Sequence, residues 1–241
     1  MRELNPHDLF WAVRLLPKQV RNQMITYGAR LVLGGGFVRS AVSGEKPNDI
    51  DLFTQTPEDA KLFADELAVG AKRKPYETGN ALSVRLFPRH LVQYIHRWTY
   101  ATPRALIESF DFTIACSALW FESGQWTSLI DDEFYSDLAA KRLVYRCPLR
   151  NEDSAGSLLR LLKFYQRGFR VPLDSLGSIV ARAVKGLDTD QDERELGKEI
   201  TLRLRVVDPA VDPTHEAHLP AAGDPEVLKA IHIPEKMGEG K

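Results

Sequence analysis

The sequence has little cysteine and almost no net charge. Its 241 residues include two cysteines, Cys116 and Cys147, too few for a disulfide framework or a cysteine-rich zinc site. The formal net charge of −1 excludes a global basic field for nucleic acid, although it is compatible with a local basic groove. No apolar run approaches the roughly 20 residues of a membrane helix. Residues 1–10 carry acids and a proline where a signal peptide has an apolar core, so we expect a soluble cytoplasmic protein.

The pattern of hydrophobic residues predicts an α/β organisation. The chain is 44% hydrophobic, enough for one large domain with a smaller companion. Mixed helix and strand patterns occupy residues 1–138, a helical region covers 139–205, and 206–241 reads as an extended or partly ordered tail. Helices are predicted from Asp8 to Tyr27, Pro57 to Val69, Asp137 to Val144 and Gly156 to Arg167. Strands are predicted from Arg30 to Leu33, Asp49 to Phe53, Leu82 to Phe87, Leu91 to Ile95 and Asp111 to Phe121.

One stretch, LVLGGGFVRSAVSGEKPNDIDLF, combines three features that bear on chemistry. A short apolar run ends in three glycines, an arginine follows, and two aspartates separated by one residue come ten residues after that arginine. Asp49 and Asp51 lie at i and i+2 on a predicted strand, so both point to the same face, about 6.5–7 Å apart. Two such carboxylates repel each other, and a divalent cation between them removes the repulsion. Magnesium favours a few carboxylates together with water and substrate phosphates.

The glycines predict a phosphate-binding turn. Glycine lets a phosphate approach the backbone, and a helix that starts at the turn adds exposed N–H groups. Arg39, one turn into that helix, can add a forked contact to phosphate oxygens. The motif is not a P-loop, because no Gly-Lys-Ser/Thr follows, and it is not a dinucleotide fingerprint, which would need glycine at Arg39.

These residues resemble the head of the class II tRNA nucleotidyltransferases and bacterial poly(A) polymerases, within the polymerase β superfamily. The matching motifs are Gly35-Gly36-Phe37-Val38-Arg39 and Asp49-Ile50-Asp51-Leu52, at the family's spacing. Ser40 stands where the family has aspartate. The resemblance implies a polymerase β-like head with a mixed sheet followed by a smaller helical region. It implies Asp49 and Asp51 as Mg²⁺ ligands, and it places Gly35, Gly36, Arg39 and Ser40 beside the nucleotide triphosphate.

Two later segments extend the resemblance. Asp111-Phe112-Thr113-Ile114 matches part of the family motif R-R-D-F-T-I-N, with Ser109, Phe110 and Ala115 at the positions of its arginines and asparagine. Residues 158–164, LLRLLKF, resemble the start of the family's helical neck, which adds Arg160 and Lys163 as nucleotide-binding candidates. Many superfamily members use a third carboxylate as a base. The polar position on the strand from Leu91 to Ile95 is Gln93, which cannot serve, so Asp111 is the remaining acid.

The resemblance implies a Mg²⁺-dependent enzyme that transfers a nucleoside monophosphate from an NTP, ATP included, to a hydroxyl acceptor. RNA is the favoured acceptor, through a local basic face; the chain shows no membrane segment, and its oligomeric state is open. The cations of that face are Arg142, Arg146, Arg150, Arg160, Lys163, Arg167 and Arg170, and a second basic run, Lys72-Arg73-Lys74, lies beside Tyr76. Two alternatives stay open. One is a degenerate member that binds nucleotide or RNA without turnover, and the other is transfer to a protein or small molecule.

Overall fold

The computed structural model describes residues 1–47, 49–86, 90–148 and 155–207. The chain divides into two compact units, residues 1–148 and 149–241. Most of the predicted tail, residues 208–241, lies outside the described residues. No helix of the described ranges is long and apolar enough to cross a membrane.

The first unit is built on a mixed sheet, which confirms the predicted α/β class. Its helices are α1 (Pro6–Leu15), α2 (Lys18–Tyr27), α3 (Gly36–Val42), α4 (Pro57–Gly70), α5 (Pro103–Ser109) and α6 (Phe134–Ala139). Its strands are β1 (Leu31–Gly34), β2 (Asp49–Thr54), β3 (Tyr76–Glu77), β4 (Ala81–Leu86), β5 (His90–Ile95), β6 (Ser117–Glu122) and β7 (Gln125–Ile130). The second unit contains α7 (Gly156–Gln166), α8 (Leu173–Val184) and α9 (Glu193–Val207).

The strands form one sheet in the order β3-β4-β5-β2-β1-β6-β7. β2 pairs in parallel with β5 and antiparallel with β1. Strand residues alternate between faces, so Ile50 and Leu52 join the core with helices α1 to α4. Asp49 and Asp51 therefore lie on the opposite face, at the centre of the sheet.

The helix predicted from Asp8 to Tyr27 is two helices. α1 ends before Leu16, which adopts an extended conformation (φ −68°, ψ 138°), and Pro17 precedes α2. Proline has no N–H for the helix and disfavours helical geometry in the residue before it. The hydrophobic periodicity continues across this break because each helix buries one apolar face. Ala12 of α1 and Val20 and Met24 of α2 lie in the core.

Two further predictions were wrong in part. The first half of the strand predicted from Asp111 to Phe121 is irregular, with a 3₁₀ turn at Thr113–Ala115, and the strand begins at Ser117. The helix predicted from Asp137 to Val144 has different bounds in the structure. Asp137 is a fully buried residue inside α6, and α6 ends at Ala139. In both segments hydrogen bonds of buried groups, such as those from Thr113 and Arg142 to Asp137, set the backbone conformation more strongly than the spacing of apolar residues does.

Candidate functional site

The paired aspartates stand on β2 as the sequence predicts. Asp49 and Asp51 are both partly exposed, whereas Ile50 between them is 1% exposed and lies in the core. Across the parallel pair with β5, Asp49 is opposite Leu91 and Asp51 is opposite Gln93. The two carboxylates thus share one face of a rigid central strand.

The glycine turn follows directly from the neighbouring strand. The antiparallel register pairs Leu33 with Leu52, which carries the end of β1 to the level of Asp51. Gly35 has φ +71° and ψ −131°, a conformation that residues with a Cβ rarely adopt. Ser117 fixes the turn from both sides. Its carbonyl accepts from the Gly35 N–H at 3.0 Å, and its hydroxyl donates to the Gly35 carbonyl at 3.1 Å.

Two aromatic rings pack against this turn. A Cβ on Gly34 would lie 3.0 Å from the Phe53 ring and 3.2 Å from the Phe110 ring. The two rings pack edge to face, with centroids 5.8 Å apart. Phe110 occupies a position where the resembled family has arginine, so the second charge of that motif is replaced by packing against the turn.

Arg39 lies beside Gly36 of the same turn. A Cβ on Gly36 would be 3.3 Å from the Arg39 Nη2 atom, so the missing side chain makes room for the guanidinium. Ser40, one residue later, is buried in α3, and its carbonyl accepts from the Glu45 N–H at 2.9 Å. The structure therefore brings Gly35, Gly36 and Arg39 together at the turn.

Asp111 is 1% exposed, unlike the two aspartates on β2. Its backbone carbonyl accepts from the Arg146 N–H at 2.8 Å, and the Thr113 N–H donates to the Val144 carbonyl at 3.1 Å. These bonds attach the Asp111–Ile114 segment to residues 141–148. The role of Asp111 as a third catalytic carboxylate stays a prediction.

The most buried acid of this region is Asp137. It accepts from the Thr113 hydroxyl at 2.5 Å and from Arg142 Nε at 2.5 Å. Arg146 is ion-paired with the buried Asp131. Arg142 and Arg146, two cations of the predicted basic face, therefore have their charges matched inside the first unit.

Arg160 and Lys163 belong to α7 of the second unit. Arg160 is 9% exposed, and a Cβ on Gly156 would be 3.5 Å from its Nη2 atom. Lys163 is half-buried. Arg150, another cation of the predicted basic face, lies outside the described residues. The nucleotide-binding roles of Arg160, Lys163 and Ser40 stay predictions.

The donor set fits magnesium better than a metal with an all-protein cage. Within the described ranges no group of three or more His, Cys, Asp or Glu residues is arranged to hold a metal ion. Asp49 and Asp51 supply two carboxylates, and Mg²⁺ takes one or two carboxylates and completes its shell with water and substrate phosphates.

One contributor to the turn was not predicted. Ser117 clamps the glycine turn, and the sequence marks it only as a small polar residue within the strand predicted from Asp111 to Phe121.

Comparison with solved structures identifies the fold. The Thermotoga maritima CCA-adding enzyme complexed with tRNA matches with a TM-score of 0.57 and 18% identity, over 85% of this chain and 51% of that one. A CCA-adding enzyme in complex with ATP matches with a TM-score of 0.59 and 21% identity, over the same shares. The chain thus has the nucleotidyltransferase fold and spans about half the length of these enzymes. No curated protein matches its sequence.

The chain belongs to the Gad2 family, described as the Gabija anti-defense 2 family, whose model matches residues 12–141. This is a different family from the class II tRNA nucleotidyltransferases that the motifs resemble. What the two have in common here is the fold. The resemblance to the tRNA enzymes rests on short motifs, whereas the Gad2 model matches residues 12–141.

Proposed function

We propose that this protein transfers a nucleoside monophosphate from an NTP to a hydroxyl acceptor and releases pyrophosphate. One observation carries the proposal: Asp49 and Asp51 lie partly exposed on the central strand, beside a glycine turn whose Gly36 lies next to the Arg39 guanidinium. Carboxylates, a backbone turn and a guanidinium in one place are the parts that phosphoryl transfer needs.

Asp49 and Asp51 are the proposed ligands of Mg²⁺. When bound, the ion neutralises phosphate charge and lowers the pKa of a hydroxyl that it contacts. Ile50 is locked in the core between the aspartates, so their backbone is held in place before substrate arrives. This preorganisation is the main contribution of the chain to the rate.

The glycine turn and Arg39 are the proposed triphosphate side. The acceptor hydroxyl gives its proton to water, and its oxygen bonds to the α-phosphorus. The bond from that phosphorus to the oxygen bridging to the β-phosphate breaks, and pyrophosphate leaves toward Arg39. A guanidinium stays charged at any physiological pH and can bind two phosphate oxygens at once. Because Ser109 and Phe110 stand where the resembled family has arginines, Arg39 is the principal cation of the proposed triphosphate side.

RNA is the first acceptor that we propose, because one neighbour of the same fold is a complex with tRNA. The experiment is incubation with each NTP labelled at its α-phosphate, with Mg²⁺ and total cellular RNA and protein. Label in RNA supports the proposal, and loss of labelling with EDTA supports the metal. No label in any fraction, with NTP binding intact, would instead support the binding protein without turnover.

A protein acceptor is the second candidate, favoured by the family to which the chain belongs. A Gabija anti-defense protein with this fold could act by attaching a nucleotide to a component of that defence. Cells that carry Gabija would be infected while they express the native chain or Asp49→Asn/Asp51→Asn. Escape from Gabija with the native chain alone, together with label on a Gabija protein, would establish this alternative. Equal escape with both chains would show that inhibition does not need transfer.

A further inference from the structure

We propose that Ser117 is a positioning residue for the triphosphate. Its hydroxyl holds the peptide between Gly35 and Gly36 so that the Gly36 N–H, and not the Gly35 carbonyl, faces the phosphates. The inference rests on the proposed function for the ligand, and it adds the residue that sets the direction of a hydrogen-bond donor there. Ser117 is fully buried, so it acts through the turn and not by contact with the nucleotide.

The two hydrogen bonds between Ser117 and Gly35 have different effects. The Gly35 N–H donates to the Ser117 carbonyl at 3.0 Å, which continues the pairing of Gly34 with Ala118 and attaches the turn to β6. The Ser117 hydroxyl donates to the Gly35 carbonyl at 3.1 Å, and this second bond depends on the side chain. Removal of the hydroxyl therefore leaves the turn attached to the sheet and releases the Gly35 carbonyl.

The direction of that carbonyl sets the direction of the N–H that follows it. A trans peptide is planar, and its C=O and N–H bonds point in opposite directions. Because the Gly35 carbonyl is turned toward Ser117 on β6, the Gly36 N–H points away from β6. β2, which carries Asp49 and Asp51, lies on the other side of β1 from β6. The donor is thereby directed to the side of the turn on which the proposed metal ligands lie.

This peptide needs a side chain to hold it, because the residues on both sides of it are glycines. Glycine lacks the Cβ that restricts backbone rotation, so the ψ angle of Gly35 and the φ angle of Gly36 are free to change together. The Phe53 and Phe110 rings pack against Gly34 and limit where the turn lies, but a phenyl ring cannot bond the carbonyl. A rotated peptide would place the carbonyl oxygen against phosphate oxygens, which repel it.

Burial makes the hydroxyl decisive for the orientation of the peptide. Gly35 and Ser117 are both buried. A buried carbonyl that loses its donor pays the full desolvation penalty, so in Ser117→Ala the inward orientation of the Gly35 carbonyl is destabilised. The rotated peptide then becomes populated, and the apparent affinity for the triphosphate falls in proportion to the fraction that keeps the binding orientation.

The first test compares Ser117→Ala with Ser128→Ala. Ser128 is buried in the same sheet, and its hydroxyl accepts from the N–H of the buried Leu4 at 3.0 Å. Each variant leaves one backbone group without its side-chain partner, so we expect similar falls in the thermal midpoint. Only Ser117→Ala should bind NTP and inorganic tripolyphosphate, each with Mg²⁺, about ten-fold more weakly. Equal affinities in the two variants, or a loss for NTP alone, would overturn the proposal.

The second test observes the peptide in the native chain, so it does not depend on the stability of a variant. Gly35 and Gly36 are the only glycines of the sequence that follow another glycine. With glycine labelled at its carbonyl carbon and its nitrogen, an NMR experiment that correlates each amide with the preceding carbonyl shows these two amides alone. We expect slow hydrogen exchange at Gly35, whose N–H is bonded to Ser117, and faster exchange at Gly36 that slows several-fold when Mg²⁺ and tripolyphosphate bind. Unchanged exchange at Gly36 on binding would overturn the proposal.

Failure of this inference can be told apart from failure of the proposed function. A native chain that labels no acceptor, yet binds tripolyphosphate more tightly than Ser117→Ala does, would contradict transfer and keep the positioning role. A native chain that transfers nucleotide, while Ser117→Ala binds NTP as well as Ser128→Ala does, would keep transfer and overturn the positioning role.

Discussion

Gly35 offers a sharp test of the glycine turn. Its φ of +71° and ψ of −131° suit glycine alone, yet a Cβ there would meet only Phe110 ring atoms at 3.8 and 3.9 Å, which is ordinary contact. Gly35→Ala therefore creates backbone strain without a steric clash. Such strain costs about 1–3 kcal/mol. If the chain instead relaxes toward an ordinary conformation, the turn moves away from Ser117 and loses two hydrogen bonds.

Gly124 provides the matched control. It has φ +81° in the turn between β6 and β7, and a Cβ on it would meet no atom of the described residues within 4 Å. Gly124→Ala therefore also places a Cβ on a residue with positive φ, at the other end of the strand that begins at Ser117. We expect both variants to lose about 1–3 kcal/mol of unfolding free energy. Only Gly35→Ala should weaken Mg-NTP binding, because only that turn faces the proposed triphosphate.

Urea unfolding followed by tryptophan fluorescence gives the stability. Trp11, Trp98, Trp120 and Trp126 are the four tryptophans of the chain and all lie in the first unit, so the signal reports that unit. Titration with an NTP and Mg²⁺ gives the affinity. Equal affinity losses in Gly35→Ala and Gly124→Ala, or none in either, would refute the assignment of the turn to the triphosphate.

Two further predictions concern the first unit. Asp137→Ala removes a buried carboxylate that accepts hydrogen bonds from Thr113 and Arg142. Because Arg142 is 47% exposed and can be rehydrated, we expect the unfolding free energy, measured in urea, to fall by about 1.5–3 kcal/mol. The exposed Asp65→Ala is the neutral control. Burial, together with the hydrogen bond to Asp8, raises the pKa of Tyr135 to about 12, and burial raises the pKa of Tyr94 above its ordinary 10.0. Both phenols favour the neutral form in the fold, so their stabilisation is complete below pH 10 and is lost as the pH rises through the folded-state pKa. Tyr94→Phe should flatten the fall of unfolding free energy above pH 10, and an unchanged fall would contradict this origin.

The centre of the fold is predictable because local and global signals agree there. Gly34 to Gly36 interrupt an apolar run, and Asp49 and Asp51 flank a buried Ile50, so turn chemistry and strand alternation both give the observed arrangement. The turn after β6 also has a local cause: Ser123 and Gly124 both have positive φ, which defines the two-residue hairpin leading into β7.

The remaining features depend on partners far along the chain. Asp137 looks like a helix cap from its neighbours, but its place is set by Thr113 and Arg142. The two-residue β3 has too little sequence for a periodicity, and it forms because Tyr76 and Glu77 pair with β4. Arg142 and Arg146 count as a basic face in the sequence, whereas Asp137 and Asp131 pair with them in the fold.

The measurement that tests the central claim most directly is nucleotide transfer by the native chain and by Asp49→Asn and Asp51→Asn, with Asp65→Asn as an exposed control. The stability of each variant in urea would first be measured by tryptophan fluorescence, and only variants as stable as the native chain would be compared. We expect the native chain and the Asp65 variant to move label from the α-phosphate of an NTP to an acceptor, and each β2 variant to lose at least about 100-fold of this rate. Transfer that survives in both β2 variants would contradict the assignment of the site.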